Sequence, residues 1–177
     1  MNSDFTIRRY KNSDAVRVGI LIAETYGGFN LPEMTAEKRA SMLGPFAFAH
    51  SSAPGHRKSI AQAIEAPTVL VAEADGDIVG VLRGGRTDDL GRTVLSSLFV
   101  SGKYQRRGIG RALVDRFEAE YVAKGVSVFK LSATLFAVPF YLSAGYKKST
   151  GVRSMRSFEE GGLPYQPMKK VVKKGFG

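Results

Sequence analysis

Between Leu98 and Ala112 the chain reads Leu-Phe-Val-Ser-Gly-Lys-Tyr-Gln-Arg-Arg-Gly-Ile-Gly-Arg-Ala, and these are the residue types and spacing best suited to chemistry. An apolar strand pattern ends, a basic turn follows, and Gly108 and Gly110 stand where a helical pattern begins. The first turn of a helix presents unpaired backbone N–H groups and the positive end of its dipole, which suits a phosphate. Glycines there let an anion approach the backbone without a Cβ in the way, and Arg106, Arg107 and Arg111 add fixed positive charge. Two other phosphate loops are excluded. A nucleotide-triphosphate loop needs Gly, four residues, then Gly-Lys-Ser/Thr, which is absent, and a dinucleotide fingerprint needs a third glycine where Leu113 stands. Taken alone, the same glycines would equally serve to shape a tight strand-to-helix turn.

The elements that must hold this loop are legible on both sides of it. Ahead of it, Thr68–Ala74 and Asp77–Arg83 are β-rich runs around Asp75-Gly76, a strong hairpin signal. A turn at Asp88-Asp89-Leu90-Gly91 leads into a third strand, Arg92–Val100, so three antiparallel neighbours are expected. Behind it, Ile109, Leu113, Phe117 and Tyr121 recur every four residues, with Arg111, Asp115, Arg116, Glu118, Glu120 and Lys124 on the other faces. That is an amphipathic helix, supported by Arg111/Asp115, Arg116/Glu120 and Glu120/Lys124 pairs and stopped at Gly125. Val126–Ser132 is a further strand, Phe136–Ser143 a short helix closed by Gly145, and two late strands follow. Nearer the N-terminus, Phe5–Arg9 alternates as a strand, and a helix capped by Asn12 or Ser13 runs to about Thr25 and ends at Gly27-Gly28. Residues 29–59 read as one or two short helices, Thr35–Met42 among them, and a mobile loop interrupted by Gly44-Pro45 and Pro54-Gly55. A strand–helix–strand unit after a meander implies a mixed α/β fold with one parallel pair bridged by the long helix.

A length of 177 residues supports one domain, residues 1–177, and neither repeat nor linker divides it. The 44% hydrophobic, 24% charged composition is that of a globular chain. No apolar run approaches the roughly 20 residues of a membrane span, and Met1–Phe5 lacks the basic head of a secretory signal, so a cytoplasmic protein with no membrane partner is expected. The chain has no cysteine, which excludes disulfides, thiolate zinc sites and a cysteine nucleophile. His50 and His56 lie in a Gly/Pro/Ser-rich stretch without a carboxylate at ligand spacing, so no metal is expected. The net charge of +10 attracts polyanions in general, although Lys169, Lys170, Lys173 and Lys174 read first as a solvated tail.

Gln105-Arg-Arg-Gly108-Ile-Gly110 resembles the Gln/Arg-x-x-Gly-x-Gly/Ala signature of the GNAT superfamily (Gcn5-related N-acetyltransferases), and Leu98-Phe99-Val100 resembles the strand before it. Some thirty residues on, Ala137-Val-Pro-Phe140-Tyr141-Leu-Ser-Ala-Gly145-Tyr146 is similar to the family's second signature, Ala-x-x-Phe-Tyr-x-x-x-Gly-Phe/Tyr. Pro167-Met168-Lys169-Lys170 is similar to its frequent last strand. The match is firm over residues 92–148. It implies a mostly antiparallel sheet of six to seven strands with one splayed parallel pair and helices on both faces.

The resemblance also implies residue roles. The pyrophosphate of acetyl-CoA would lie on the backbone of Arg106, Arg107, Gly108, Ile109, Gly110 and Arg111, with Gln105 at the entrance. The pantetheine arm would pair with Leu98, Phe99 and Val100, and Ala137 and Phe140 would complete the cofactor site. Tyr141 matches the general acid that protonates the departing thiolate, and a backbone N–H near Phe99 or Val100 would polarise the thioester carbonyl. Thr134 stands where the family often has Asn, and Val94 where some protein-lysine acetyltransferases carry a glutamate base. Glu24, Glu73, Asp88 and Asp89 remain open as bases, beside a water relay. Tyr26, Phe29, Phe46 and Phe48 fall in the region that shapes acceptor pockets.

The function implied is transfer of acetyl from acetyl-CoA to a primary amine of a small molecule by direct attack. The alternatives are an amine on aminoacyl-tRNA or protein, or a non-catalytic acyl-CoA sensor. A homodimer would follow the family's habit.

Overall fold

Residues 4–29, 33–154 and 163–173 are described by the computed structural model of the chain. The meander expected from the hairpin signals is present: β2 (Thr68–Ala74), β3 (Asp77–Thr87) and β4 (Thr93–Val100) pair antiparallel in order. Asp75 adopts φ 52° and Gly76 φ 82°, the left-handed pair that a two-residue hairpin turn requires. At the second turn the Asp88 side chain accepts hydrogen bonds from the backbone N–H groups of Leu90 (3.1 Å) and Arg92 (3.0 Å). β1 (Thr6–Arg9) adds to the outer edge of β2.

After β4 comes the long helix α4 (Ile109–Val122), and β5 (Val128–Thr134) returns parallel to β4. β8 (Pro164–Val171) then pairs antiparallel with β5, flanked by the two-residue strands β6 (Lys147–Lys148) and β7 (Arg153–Ser154). The sheet order is β1-β2-β3-β4-β5-β8-β6, with β7 also on β8. Among the described residues the sheet has eight strands, the six to seven expected being exceeded by these two short ones.

Alternation along the strands splits the core in two. On one face Leu82, Leu95, Phe129, Leu131 and Met168 pack with Leu113, Phe117 and Tyr121 of α4. On the other, Val71, Val81 and Ile78 pack with Val18 and Ile22 of α1 (Ala15–Phe29) and Ile60 and Ile64 of α3 (Pro54–Ile64). The short helices α2 (Ala36–Leu43) and α5 (Val138–Ser143) complete the set.

Several expectations are corrected. α1 runs through Gly27-Gly28 to Phe29, because apolar contacts of the helix outweigh the glycine penalty. Neither Asn12 nor Ser13 caps it: a 3₁₀ turn, Asn12–Asp14, precedes α1, and the Asp14 carboxylate accepts the Lys11 N–H at 2.8 Å. Buried Asp14 also pairs with Arg8 (2.7 Å) and Arg17 (3.1 Å), tying β1 to α1. Pro54 starts α3 instead of breaking a loop, since proline's missing N–H costs nothing in a first turn. Thr35 does cap α2, accepting from Lys38 N–H at 3.3 Å.

On α4, Arg111–Asp115 and Arg116–Glu120 pair as expected. Glu120 also pairs with Arg9 at 2.5 Å, and Lys124, expected to pair with Glu120, instead lies 4.7 Å from the Tyr121 ring centre. Glu118, expected on a polar face, is 6% exposed and pairs with Lys170 of β8 at 2.5 Å. Lys169 and Lys170 therefore belong to a strand, not a solvated tail; Lys174 lies outside the described residues.

Phe117 fills the centre of the α4-side core, its ring 4.8 Å from Tyr121 and 6.0 Å from Phe129. Phe117→Ala should lower the unfolding free energy in urea by about 3–5 kcal/mol; a loss below about 1 kcal/mol would mean the two layers are not held by this contact.

Candidate active site

β4 and β5 are paired only at Thr93↔Phe129 and Val94↔Lys130. Beyond those two pairs the strands diverge, although β4 continues to Val100 and β5 to Thr134. A cavity of about 710 Å³ occupies the opening, lined by Leu95–Val100, Leu131–Thr134, the start of α4 and the α5 aromatics.

Backbone alternation on β4 fixes which groups face it. The Ser101 N–H donates to the Val79 carbonyl at 2.8 Å, so with Val81 opposite Phe99 the odd-numbered residues address β3. The N–H groups of Leu98 and Val100 therefore face the opening, and the Val100 carbonyl on that side already accepts from the Gln105 side-chain amide at 3.2 Å. Of the two backbone donors suggested by sequence, Val100 has the right direction and Phe99 is committed to β3.

The basic turn leads to the N-terminus of α4. Gly108 is its N-cap with φ 82°, a left-handed conformation with open space where a side chain would stand. Arg106, at φ 62°, shares that conformation without being glycine, a costly arrangement that the loop retains. The Gly108 carbonyl accepts from Ala112 N–H at 2.9 Å, which leaves Ile109, Gly110 and Arg111 with N–H groups that the helix cannot use. Gly110 has a different reason to lack a side chain: a Cβ would meet the Phe140 ring at 3.3 Å and Val100 at 3.6 Å. Here glycine lets α4 approach α5 and β4 instead of clearing space for an anion.

Leu98, Phe99, Val100, Gln105, Arg106, Gly108, Ile109, Gly110, Arg111, Thr134, Ala137, Phe140 and Tyr141 all line the one cavity. Arg107 does not. Its guanidinium lies 5.0 Å from the ring centre of Tyr104, whose hydroxyl donates to Asp75 at 2.9 Å. Thr134 lines the cavity from the end of β5.

Tyr141 is 6% exposed and packs edge-on against Phe140 (5.1 Å) and Tyr146 (5.6 Å). Its hydroxyl makes no hydrogen bond with a described residue, yet it is not among the sealed polar atoms, so it opens to the cavity. Burial pushes this phenol well above its ordinary value of about 10, which keeps it protonated. Behind it Tyr146 is raised by burial and by the charge of Glu118, close by but not in hydrogen-bonding geometry. The Glu118–Lys170 pair thus backs the tyrosine cluster, a support that the helical pattern gave no reason to expect.

Among the described residues, no carboxylate or histidine lines the cavity. Glu73 is paired with Arg8 at 2.7 Å. Asp88 is held well below the usual carboxylate range by hydrogen bonds from Lys130 and Arg92, and it lies outside the lining. Glu24 and Asp89 are exposed and also outside it. Tyr26 and Phe46 line the end of the cavity toward α1 and α2. Phe48 instead stacks on His56 at 4.1 Å, 50% exposed, and the Phe29 side chain lies outside the described residues. His56 sits in α3 with its Nδ1 2.8 Å from Ser51 Oγ, and no metal-binding group of acidic, histidine or cysteine residues occurs among the described residues. No described helix is long and apolar enough to cross a membrane.

Residues 33–172 match the family model described as "Acetyltransferase (GNAT) domain". No curated protein matches the chain by sequence. Among solved structures the chain is similar to a GCN5-related N-acetyltransferase from Rhodopseudomonas palustris, at 20% identity and TM-score 0.73 over 94% of this chain and 95% of that one. It is similar to PaiA N-acetyltransferase from Thermoplasma acidophilum in complex with coenzyme A, at 18% identity and TM-score 0.69 over 94% and 98%. A third is ribosomal-protein-alanine N-acetyltransferase from Brucella melitensis, at 20% identity and TM-score 0.61 over 94% and 99%.

Because Tyr141 and Tyr146 are raised in the folded chain and ordinary in the unfolded one, their stabilising effect is complete below about pH 10 and is lost progressively as pH rises from there toward the raised folded-state values. Urea unfolding at increasing alkaline pH should show that decline, and Tyr141→Phe combined with Tyr146→Phe should flatten it. Equal pH dependence in both proteins would contradict the burial of these phenols.

Proposed function

Since the chain belongs to the GNAT acetyltransferases, we propose that it binds acetyl-CoA in the β4/β5 opening and transfers the acetyl group to the primary amine of a small molecule. One observation carries the reading: an unpaired strand edge, a helix N-terminus and a protonated tyrosine line the same cavity. Acetyl-CoA, when bound, supplies an activated thioester whose carbonyl carbon a neutral amine attacks and whose thiolate leaves.

The residues fit that ligand. The outward N–H groups of Leu98 and Val100 suit the amides of an extended pantetheine arm. Val100 N–H is also the donor best directed to polarise a carbonyl in the opening. The unpaired N–H groups of Ile109, Gly110 and Arg111, with the Arg106 and Arg111 side chains, suit a pyrophosphate. The Arg107 guanidinium, turned onto Tyr104, adds no charge to the cavity.

Tyr141 holds a proton at its hydroxyl beside the opening. A thiolate in a cavity walled by apolar groups is itself more basic than in water, so a donated hydrogen bond or proton stabilises its departure. Tyr141→Phe should lower kcat by about 10²–10⁴ while the thermal midpoint still rises with acetyl-CoA, because ligand binding to the folded state is retained. Unchanged kcat would remove Tyr141 from the chemistry; no thermal shift in the wild-type protein would remove acetyl-CoA.

With no acid or histidine among the described lining residues, the attacking amine arrives neutral or loses its proton to water. The pH profile of kcat/KM should therefore climb with unit slope up to the amine's own pKa. A plateau setting in near pH 6–7 would reveal an ionising base in the protein. The α1 and α2 end of the cavity, lined by Tyr26, Met42, Leu43 and Phe46, supports an acceptor of small-molecule size.

A further inference from the structure

Among the described residues, three charged side chains line the cavity: Arg106 and Arg111 at the N-terminus of α4, and Arg83. Arg83 stands on β3 directly opposite Ser97 of β4. Its neighbour Leu82 faces the α4 side of the sheet, and Arg83 faces the other, where the guanidinium lies 5.8 Å from the centre of the Phe46 ring. It is therefore in the half of the cavity formed with α1 and α2, away from the α4 N-terminus.

Arg83 is held firmly but is not neutralised. Its Nε donates to Ser97 Oγ at 2.8 Å, and one amino nitrogen donates to the Ala63 carbonyl at the end of α3. These two bonds fix the plane of the guanidinium, which has five N–H donors in all. The other amino nitrogen has no partner among the described residues and is not sealed from solvent. No carboxylate pairs with Arg83 among the described residues, in contrast to Arg8, which binds both Asp14 and Glu73. Burial accordingly lowers Arg83 from its ordinary value with no acid to offset it, whereas Arg8 is raised. A half-buried charge without a counter-ion is costly, and a ligand anion would remove that cost.

We propose that Arg83 binds a carboxylate on the acceptor, so that the acceptor is a small amino carboxylate whose amine reaches toward the β4/β5 opening. This deepens the acetyltransferase reading and rests on it. The free amino nitrogen offers charge-assisted N–H donors that suit a carboxylate, beside the Phe46 ring. The same charge repels a second ammonium group, and no acidic residue among the described lining residues is placed to receive one. Polyamines and other polycations are thereby excluded as good acceptors.

The test uses the standard L-amino acids, β-alanine and γ-aminobutyrate, each paired with its carboxamide, with acetyl-CoA saturating. At least one carboxylate should exceed its carboxamide in kcat/KM by on the order of 100-fold, mostly through KM. Arg83→Gln should abolish that preference, and Arg83→Lys should restore part of it. Calorimetric titration of the same compounds onto the free and acetyl-CoA-loaded protein reads acceptor binding without turnover. It also shows that the Arg83 variants are folded, through unaltered acetyl-CoA affinity.

If acetyl-CoA fails to bind, the acetyltransferase reading falls, yet carboxylate binding that depends on Arg83 would still uphold this site. If acetyl-CoA binds while carboxylates and carboxamides behave alike, or Arg83→Gln leaves the preference intact, the carboxylate site is overturned and the acetyltransferase reading stands. Should Arg83→Gln not fold, the wild-type ratio of carboxylate to carboxamide decides alone.

Discussion

Two parallel residue pairs, Thr93↔Phe129 and Val94↔Lys130, are the ladder that joins β4 to β5, and the proposed function depends on the pairing stopping there. A strand in a sheet interior normally spends its N–H and C=O groups on both neighbours. Here the outer half of β4 is satisfied on one side by β3 and left open on the other, with the groups of Leu98 and Val100 directed into the gap. An edge of that kind inside a sheet is a liability unless something covers it. A ligand with amides of its own, laid along the edge, answers the need in the same way a further strand would.

Rigid packing around the gap keeps it open. On one side α4 is anchored by Leu113, Phe117 and Tyr121 and brought close to α5 because Gly110 has no side chain to separate it from Phe140. On the far side β5 is braced along its full length by β8, with seven residue pairs from Val128↔Val171 to Thr134↔Tyr165. The Lys170–Glu118 ion pair then ties β8 back to α4 beneath Tyr146. Closing the gap would require moving one of these layers against the other, so the tyrosine hydroxyl and the helix N-terminus hold their relation to the strand edge. Polar chemistry at the site is concentrated in arginines and hydroxyls; of the candidate bases, Glu73 and Asp88 are spent on Arg8, Arg92 and Lys130, and Glu24 and Asp89 lie outside the lining.

Much of this was legible in the sequence because it rests on local patterns. The Asp75-Gly76 hairpin, the four-residue period of α4 and the two-glycine turn are each written in consecutive residues. What was not legible depends on partners far apart in the chain. Glu118 reads as one more charge on a polar face until Lys170, 52 residues on, comes beside it. Arg107 reads like Arg106, and only the position of Tyr104 shows that it turns away. Pro54 reads as a break because nothing in its neighbourhood reveals that Ile60 and Ile64 are buried beneath α1. Arg83, at the end of an apolar run, gives a signal in retrospect: a charge in the middle of what proves to be a long strand has to face something, and composition does not say what.

The central claim is that the opening at β4 is completed by acetyl-CoA, and amide hydrogen exchange followed residue by residue by NMR tests it most directly. In the free protein the Phe99 amide should be protected by β3, while those of Leu98 and Val100 exchange freely. Adding acetyl-CoA should protect Leu98 and Val100 together with Ile109 and Gly110, leaving Phe99 as it was. Exchange at Leu98 and Val100 that acetyl-CoA does not alter would contradict the account, because the strand edge would then have another use.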